Sequence, residues 1–439
     1  MTDQADFKQL VRERMARTGE RYTTARAHII RAHPQAAPNA TADATVGTAL
    51  DLGGVHDQTA ALHDLLAAEG IDAPHTSLPP TEALLLGLGG GIGAAVFTFQ
   101  YRGELPHLYV ETRCTPQFAY DLGFVQRSAA GLGITLRIAT GTTPKAAARV
   151  LDSALDQGRP ALCLVDAFKL PHHAGTAQGG ALPWTVVVHE QRGDTVVITD
   201  RGREPLELAR ATLDAARVTY TKGKGAVATV EATSPRPLAE GITAGIRYCI
   251  DELAGREVRK GFGGNFGLRA LDKWISEVTR TGKDGWRSRF APGKPLAAGL
   301  RQAFGWIETS GTGGGAFRRS YADFLREASI ATNDARYLDV AARYDALAAS
   351  WTSLVTALLP DGTPLGDIRL RLRQRAAAIR RGASVEELRE HDETIDALVA
   401  RCEPFPVDAE ATYEMLATGL QAIVDAERAA ASQLQQLVQ

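Results

Sequence analysis

Residues 53–93 have the sequence GGVHDQTAALHDLLAAEGIDAPHTSLPPTEALLLGLGGGIG, which predicts a turn, a short helix, a loop and a glycine-rich segment leading into a strand. Apolar residues recur at helical spacing between positions 61 and 66, and Gly70 has the place of a left-handed C-terminal cap. His56 and Asp57 therefore fall at the start of a half-buried helix.

The glycine-rich segment contains five glycines between positions 87 and 93, among them Gly89, Gly90 and Gly91. So many glycines predict unusual backbone angles or the close approach of another backbone or a ligand. No clear strand precedes the segment and a β-like run follows it, so it is not a dinucleotide-binding fingerprint. We expect these glycines, with Glu82 just before them, to line a pocket beside the Asp57 helix.

Length and composition limit the class of protein. The chain of 439 residues is long enough for two or three domains, and its 49 basic and 51 acidic residues give no general attraction to nucleic acid or acidic membranes. No apolar run approaches the ~18 residues of a membrane span, and the first residues lack a secretory signal, so we expect a cytoplasmic protein. Four widely spaced cysteines suggest reduced thiols.

The first 48 residues are predicted to be a basic helical extension and a linker. Residues 7–33 are rich in arginine and favour helix, whereas residues 34–48 are rich in proline, alanine and threonine. Nucleic-acid binding is one interpretation of 7–33. Because acidic residues dilute its charge, we favour a solvated helix pair.

The next two regions differ in their patterns. Strand and helix signals alternate up to about residue 230, with strands at 134–139 and 161–168 and a hairpin at 184–200. Residues 236–439 favour helix almost throughout. The sequence therefore predicts an α+β domain over 49–233 followed by an all-α helical domain over 234–439.

Several motifs of the α+β domain resemble a known family. They are H-x-x-x-x-A-L-x-x-L-L-x-x-x-G from His56, then GLGGGIG, YRGELP, DQGRP, VDAFKLPHH and VVVHEQRGDTVVITDR. Over about 50–230 this series resembles the N-terminal domain of the butirosin acyltransferase H (BtrH) family. The resemblance implies a papain-like, cysteine-peptidase-like fold and transfer of an acyl group from a carrier-protein thioester to an amine. It implies a small-molecule substrate, an acyl carrier protein as partner and no cofactor.

The helical domain continues the likeness. NFGLRALDKW (265–274), GTGGGAFRRSYADFLREA (311–328) and ARYDALAASW (342–351) resemble the uncharacterised helical domain that usually follows in such proteins. Arg318 opens a helix after a glycine-rich turn, which suits either an anion-binding site or a tight turn with solvated arginines. The amphipathic segment 407–436 packs on its own domain or on a second copy, so a homodimer is left open.

The chain departs from the family where the chemistry should lie. Asp57 stands where thiol-dependent members have cysteine, and Leu182-Pro183-Trp184 stand where the base histidine is expected. Only Asp200 matches the acid that would orient the histidine. Asp57 either caps its helix, for which aspartate is well suited, or acts as an acid or base.

The remaining histidines and cysteines supply alternatives. His172 and His173 are candidates for a replacement base, and His56 keeps its family position. A metal site from His56, Asp57 and His172 is left open, but no ligand signature predicts one. Cys114 is the thiol that could substitute as a nucleophile, whereas Cys163 should be buried and inert.

The sequence thus predicts an enzyme of secondary metabolism that performs acyl or aminoacyl transfer, or a related condensation, with Asp57 in place of the thiol. The alternative is a non-catalytic relative that binds a carrier protein or a biosynthetic intermediate. The predicted catalytic residues are Asp57, His56, His172 and Asp200. The predicted substrate contacts are Glu82, Gly89, Gly90, Gly91, Trp184 and Arg318.

Residues 233–237, TSPRP, are predicted to form the linker between the two domains, because prolines two apart cannot continue a helix or a central strand. Limited proteolysis should cut first at this linker or within 34–48, with the fragments identified by mass spectrometry. A first cut within 161–200 would contradict the division into domains.

Overall fold

The computed structural model describes residues 55–113, 120–173, 182–201, 204–255 and 263–439. The predicted basic extension and linker over 1–48 lie outside these residues, as does Cys114. No helix in the described ranges has both the length and the apolar character that crossing a membrane requires.

The first region contains helices and strands in alternation. In chain order they are α1 (Asp57–Ala68), α2 (Glu82–Leu88), β1 (Ile92–Phe99), β2 (His107–Arg113), α3 (Gly123–Gly131), β3 (Ile134–Ala139), α4 (Pro144–Leu155), β4 (Ala161–Asp166), β5 (Pro183–Arg192), β6 (Thr195–Thr199), β7 (Leu206–Ala209), α5 (Arg210–Thr219) and β8 (Val227–Thr233).

The main sheet has six antiparallel strands in the order β3-β8-β4-β5-β6-β7, and β1 and β2 form a separate antiparallel pair. Strand β4 is buried throughout because both faces of the sheet are covered. Its Leu162 and Leu164 join the larger core, whereas Cys163 and Val165 face a smaller core that also contains Leu213 of α5. This two-sided burial explains the continuous apolar run in the sequence.

The second region is helical. It contains α6 (Leu238–Leu253), α7 (Leu268–Thr279), α8 (Trp286–Arg289), α9 (Lys294–Phe304), α10 (Arg318–Thr332), α11 (Arg336–Ala357), α12 (Pro364–Arg380), α13 (Val385–Ala400) and α14 (Ala409–Leu437). A five-residue π-helical segment, Gly305–Thr309, extends α9. The predicted order, an α+β region followed by a helical one, is confirmed.

The larger core is continuous across the two regions. Leu84 of α2, Ile246 of α6 and Phe324 of α10 belong to one buried cluster. The close approach depends on glycine: a Cβ on Gly87 would come within 2.1 Å of the Phe324 ring, and one on Gly91 would come within 2.2 Å of Tyr321. The glycine run therefore admits the aromatic side chains of α10.

A buried ion pair joins the same elements. Nε of Arg318 donates to Glu427 of α14 at 2.7 Å, and both side chains are fully buried. The other guanidinium nitrogens donate to the backbone carbonyls of Gly93 at the start of β1 and Thr112 near the end of β2, at 3.1 and 2.9 Å, and to that of Ala316 at 2.7 Å. Arg318 thus ties the start of α10 to the two-stranded sheet and to the C-terminal helix.

We expect Arg318→Met to lower the free energy of unfolding by about 3–5 kcal/mol, because it leaves Glu427 buried without its partner. Urea unfolding followed by circular dichroism measures this change. Arg319→Ala is the matched control, since Arg319 is the next residue of the same helix and is exposed, and it should change stability by less than about 0.5 kcal/mol. Equal effects of the two substitutions would contradict the role assigned to the pair.

Candidate functional site

A cavity of about 470 Å³ lies between the two regions. One wall comes from the α+β region and includes the start of α1, the end of β2, the start of β5 and the loop before it. The opposite wall comes from the end of α9, the π-helical segment, the loop 310–312 and the facing sides of α12 and α13. The helical region therefore completes the cavity.

Asp57 is the first residue of α1, and the side chain that caps this helix belongs to His56, whose Nδ1 accepts from the backbone N–H of Thr59 at 3.3 Å. The Asp57 carboxylate points to the sheet, where it accepts hydrogen bonds from the hydroxyl of Tyr120 and, at 3.1 Å, from Thr185 of β5. The expectation that Asp57 caps the helix is wrong, because its oxygens bond to side chains from other elements.

Burial raises the pKa of Asp57 from 3.8 to about 6. The positive charge of Arg113 and the hydrogen bond from Thr185 oppose this rise without cancelling it. The guanidinium of Arg113 is held by the Gln58 side chain at 2.6 Å and lies over the ring of Phe124. The carboxyl group therefore exchanges its proton close to neutral pH, as a general acid or base should.

His56 lies beside Asp57, with its Nε2 3.6 Å from Oδ1 of that carboxylate. The edges or faces of two phenyl rings, Phe124 and Phe317, contact its imidazole at centroid distances of 5.8 and 5.5 Å. Burial, helped by the charge of Arg113, holds the pKa of His56 well below 6.5. The imidazole is thus neutral at physiological pH and caps the N-terminus of α1.

A second polar centre lies on the same wall around Asp200. His172 and His173 both direct Nε2 at Oδ2 of Asp200, at 2.9 and 2.6 Å, and Trp184 donates its indole N–H to Oδ1 at 2.9 Å. Both histidines line the cavity, and Asp200 is buried behind them. Trp184, which replaces the expected histidine, instead holds the acid in place.

Hydrogen bonds, burial and the charge of Arg201 determine the protonation of this centre. Burial acts to raise the pKa of Asp200, but the hydrogen bonds from His172 and His173 and the nearby charge of Arg201 hold it well below its usual value. Burial lowers the pKa of His173, and its contact with Asp200 opposes this only in part. The centre therefore combines an ionised carboxylate with a neutral imidazole.

Strand β5 connects the two centres. Trp184 and Thr185 are consecutive residues, and the first contacts Asp200 while the second contacts Asp57. The negative charge of Asp200 contributes to the raised pKa of Asp57. The ionised carboxylate of Asp200 therefore favours the protonated form of Asp57.

Glu82, Gly89, Gly90, Gly91 and Arg318 lie outside the described lining of this cavity. Glu82 accepts from the Thr59 hydroxyl at 2.7 Å behind His56, and burial raises its pKa to about 7. Gly89 lies against Phe124, Gly91 lies against Tyr321, and Arg318 donates to Glu427 and to backbone carbonyls. Substrate contacts predicted at these positions are not supported by their placement.

Several lining residues were absent from the sequence-based predictions. They are Arg113, Tyr120 and Arg201 from the α+β region and Arg301 and Arg375 from the helical one. Arg301 pairs with Asp396 at 2.7 Å, and Arg375 makes two contacts with Asp392 at 2.6 and 3.0 Å. Local sequence carries no signal for these contacts, because each partner lies elsewhere in the chain.

No cysteine within the described ranges lines the cavity. Cys163, Cys249 and Cys402 are all buried. Burial raises the pKa of Cys163, in agreement with an inert thiol. The metal set left open by the sequence, His56 with Asp57 and His172, also differs from the cluster found, since the ligand atoms that converge belong to His172, His173 and Asp200.

Two family models match the chain. Residues 56–201 match butirosin biosynthesis protein H, N-terminal, and residues 206–389 match a domain of unknown function, DUF4872. The matches confirm the resemblance: the chain carries a domain of the butirosin biosynthesis protein H type followed by a DUF4872 domain. No curated protein matches the chain. The second match begins at β7, so it includes the last strands of the main sheet as well as the helices.

The raised pKa of Asp57 predicts a pH-dependent cost in stability. Because folding favours the protonated carboxyl, Asp57 lowers the free energy of unfolding as the pH rises from about 4 to about 6, by about 3 kcal/mol in total. Asp57→Asn removes this titration, so its stability relative to the wild type should increase over that range by up to this amount. Urea unfolding at pH 4.5 and 7.5 measures the difference. Asp72→Asn, at an exposed position after α1, is the control. If the stability of Asp57→Asn relative to the wild type is the same at both pH values, the raised pKa of Asp57 is contradicted.

Proposed function

We propose that this protein is an enzyme of small-molecule biosynthesis that transfers an acyl or aminoacyl group to an amine, or performs a related condensation. The observation that carries the proposal is the arrangement of Asp57 and the His172–His173–Asp200 centre on one wall of a single open cavity. The family match supports the biosynthetic setting, since its model is described as butirosin biosynthesis protein H.

The topology supports a papain-like arrangement of this wall. In that arrangement a helix presents its first turn to one strand of an antiparallel sheet, and the acid follows the next strand. Helix α1 packs on β5 with Asp57 at its start, and Asp200 follows β6. The sites of nucleophile, base and acid in such a fold then correspond to Asp57, Trp184 and Asp200.

The residues suit direct transfer without a thioester on the protein. The acceptor nitrogen attacks the acyl carbon of a thioester, forming the C–N bond, and its proton is removed at the His172–His173–Asp200 centre. The C–S bond breaks, and the leaving sulfur takes a proton from Asp57. Transfer of the first proton back to Asp57 restores both groups and leaves an amide and a free thiol.

The properties of Asp57 fit the role of acid. A carboxyl group with a pKa of about 6 retains a fraction of its protons at neutral pH, as general acids in buried sites do. The hydroxyls of Tyr120 and Thr185 fix the orientation of the carboxyl group beside the cavity. Because His56 is neutral, it adds no positive charge that would lower the pKa of Asp57.

The alternative, a non-catalytic binding protein, predicts a filled cavity. The cavity of about 470 Å³ is of the size that small-molecule sites have, and titratable side chains line it. These features favour the enzyme.

We expect Asp57→Asn to lower kcat by about 10²-fold or more while the thermal midpoint does not fall. The measurement follows thiol release and amide formation with an acyl-pantetheine thioester and an amine acceptor. In the wild type kcat/KM should fall as the pH rises above about 6, because the acid must be protonated, and this limb should be lost in the residual activity of the variant.

The control for this experiment is Asp72→Asn, which should retain wild-type turnover and the wild-type pH profile. Normal turnover of Asp57→Asn with a substrate that the wild type accepts would exclude the acid role.

A further inference from the structure

Three potential metal ligands converge at the wall of the cavity. One potential ligand atom from each of His172, His173 and Asp200 lies within 4.8 Å of the other two. The two imidazole nitrogens approach the same carboxylate oxygen, at 2.9 and 2.6 Å. In a tetrahedral Zn²⁺ site with bonds of 2.0–2.1 Å the ligand atoms lie about 3.3 Å apart, so a small separation of these side chains would admit an ion.

The contacts of Oδ1 of Asp200 leave Oδ2 and the two imidazole nitrogens available to an ion. Trp184 Nε1 donates to Oδ1 of Asp200 at 2.9 Å, and Nε of Arg201 lies 3.7 Å from the same oxygen. The indole hydrogen bond therefore holds the carboxylate through Oδ1 and leaves Oδ2 directed at the imidazoles. A hydrogen bond from outside the ligand set that orients a coordinating carboxylate is usual in metal sites.

The position also has an open side. His172 and His173 line the cavity, and Asp200 closes the site from behind with its side chain fully buried. Two imidazoles and one carboxylate with an open position are the ligands of catalytic Zn²⁺ sites and of non-haem Fe²⁺ sites.

We propose that His172, His173 and Asp200 bind one divalent transition-metal ion, with Zn²⁺ and Fe²⁺ as the chemically matched ions. Trp184 is the positioning residue of this site, because its indole N–H holds the carboxylate in the coordinating orientation. The fourth position faces the substrate cavity.

The role that a bound ion would have in catalysis rests on the proposed function. A bound ion of this class lowers the pKa of water or of an acceptor group that coordinates it, so removal of the acceptor proton no longer requires a free imidazole. The binding of the ion does not depend on that reaction and can be measured without it.

The experiment uses the full chain after treatment with a chelator. Zn²⁺ is titrated by competition with a chromophoric chelator, and Co²⁺ is added separately to record the visible absorption of a site of low coordination number. We expect one tightly bound ion per chain. His173→Ala and Asp200→Asn should each weaken binding by at least about 100-fold, and Trp184→Phe, which keeps an aromatic ring but loses the N–H donor, should weaken it by about 10–100-fold.

Two controls make these outcomes specific. His107→Ala removes a partly exposed histidine that pairs with Glu104 outside the cavity lining, and it should leave binding unchanged. Circular dichroism and the thermal midpoint of each variant establish that it is folded. If the wild type binds Zn²⁺ no more tightly than the folded variant with alanine at both 172 and 173, the metal site is excluded.

The two proposals fail separately. Asp57→Asn should bind Zn²⁺ as the wild type does, because Asp57 is not a ligand. Tight metal binding together with normal turnover of Asp57→Asn would overturn the acid role of Asp57 alone. If Asp57→Asn loses turnover and the wild type binds no metal, the metal site alone is overturned.

Discussion

The contact between Arg318 and Glu427 is the constraint on which the two-region arrangement depends. Two opposite charges are removed from water together, and the guanidinium satisfies its remaining donors on the carbonyls of Gly93, Thr112 and Ala316. Glu427, Gly93 and Thr112 are all distant from Arg318 in the chain, so this set of contacts forms only when α10, α14 and the β1–β2 sheet have come together. The cavity lies beside this junction, since Thr112 and Phe317 line it and flank Arg318 in space or sequence.

The site itself is organised by one short segment of β5. Consecutive residues, Trp184 and Thr185, hold the two carboxylates of the wall through their side-chain donors. Burial acts to raise the pKa of both carboxylates, but only Asp200 receives enough hydrogen bonds for its pKa to fall well below the usual value. Two aspartates in one site thus acquire different protonation behaviour, which is how paired carboxyl groups divide acid and base roles.

Strong local patterns made part of this fold predictable. The buried run of β4, the β5–β6 hairpin and the helical second region follow from apolar periodicity and turn residues, and they are found where expected. Strands β7 and β8 were absent from the sequence-based prediction; β7 has only four residues, and β8 lies between β3 and β4, which are distant in the chain. The β1–β2 pair lies apart from the main sheet and packs against α7 and α9, an arrangement that local sequence does not show.

The candidate site was predictable only where single residues carry chemistry. Asp57, His172, Trp184 and Asp200 could be selected from the family resemblance, but their contacts could not. Aspartate at a helix start is normally a good cap, and this one is turned away from its helix by the hydroxyls of Tyr120 and Thr185, which lie 63 and 128 positions later. The glycine-rich turn before Arg318 left an anion site and a solvated arginine as alternatives, and neither pointed to Glu427, its actual partner 109 positions away.

The two walls of the cavity differ in the kind of side chain they contribute. All the titratable groups assigned to proton transfer or metal binding come from the α+β region, whereas Leu372, Ile379 and Ile395 of α12 and α13 face them from the other side. Side chains on this helical pair can change in size without disturbing the hydrogen bonds of Asp57 or Asp200. Substitutions in α12 and α13 can therefore change the shape of the cavity while the groups around Asp57 and Asp200 stay the same.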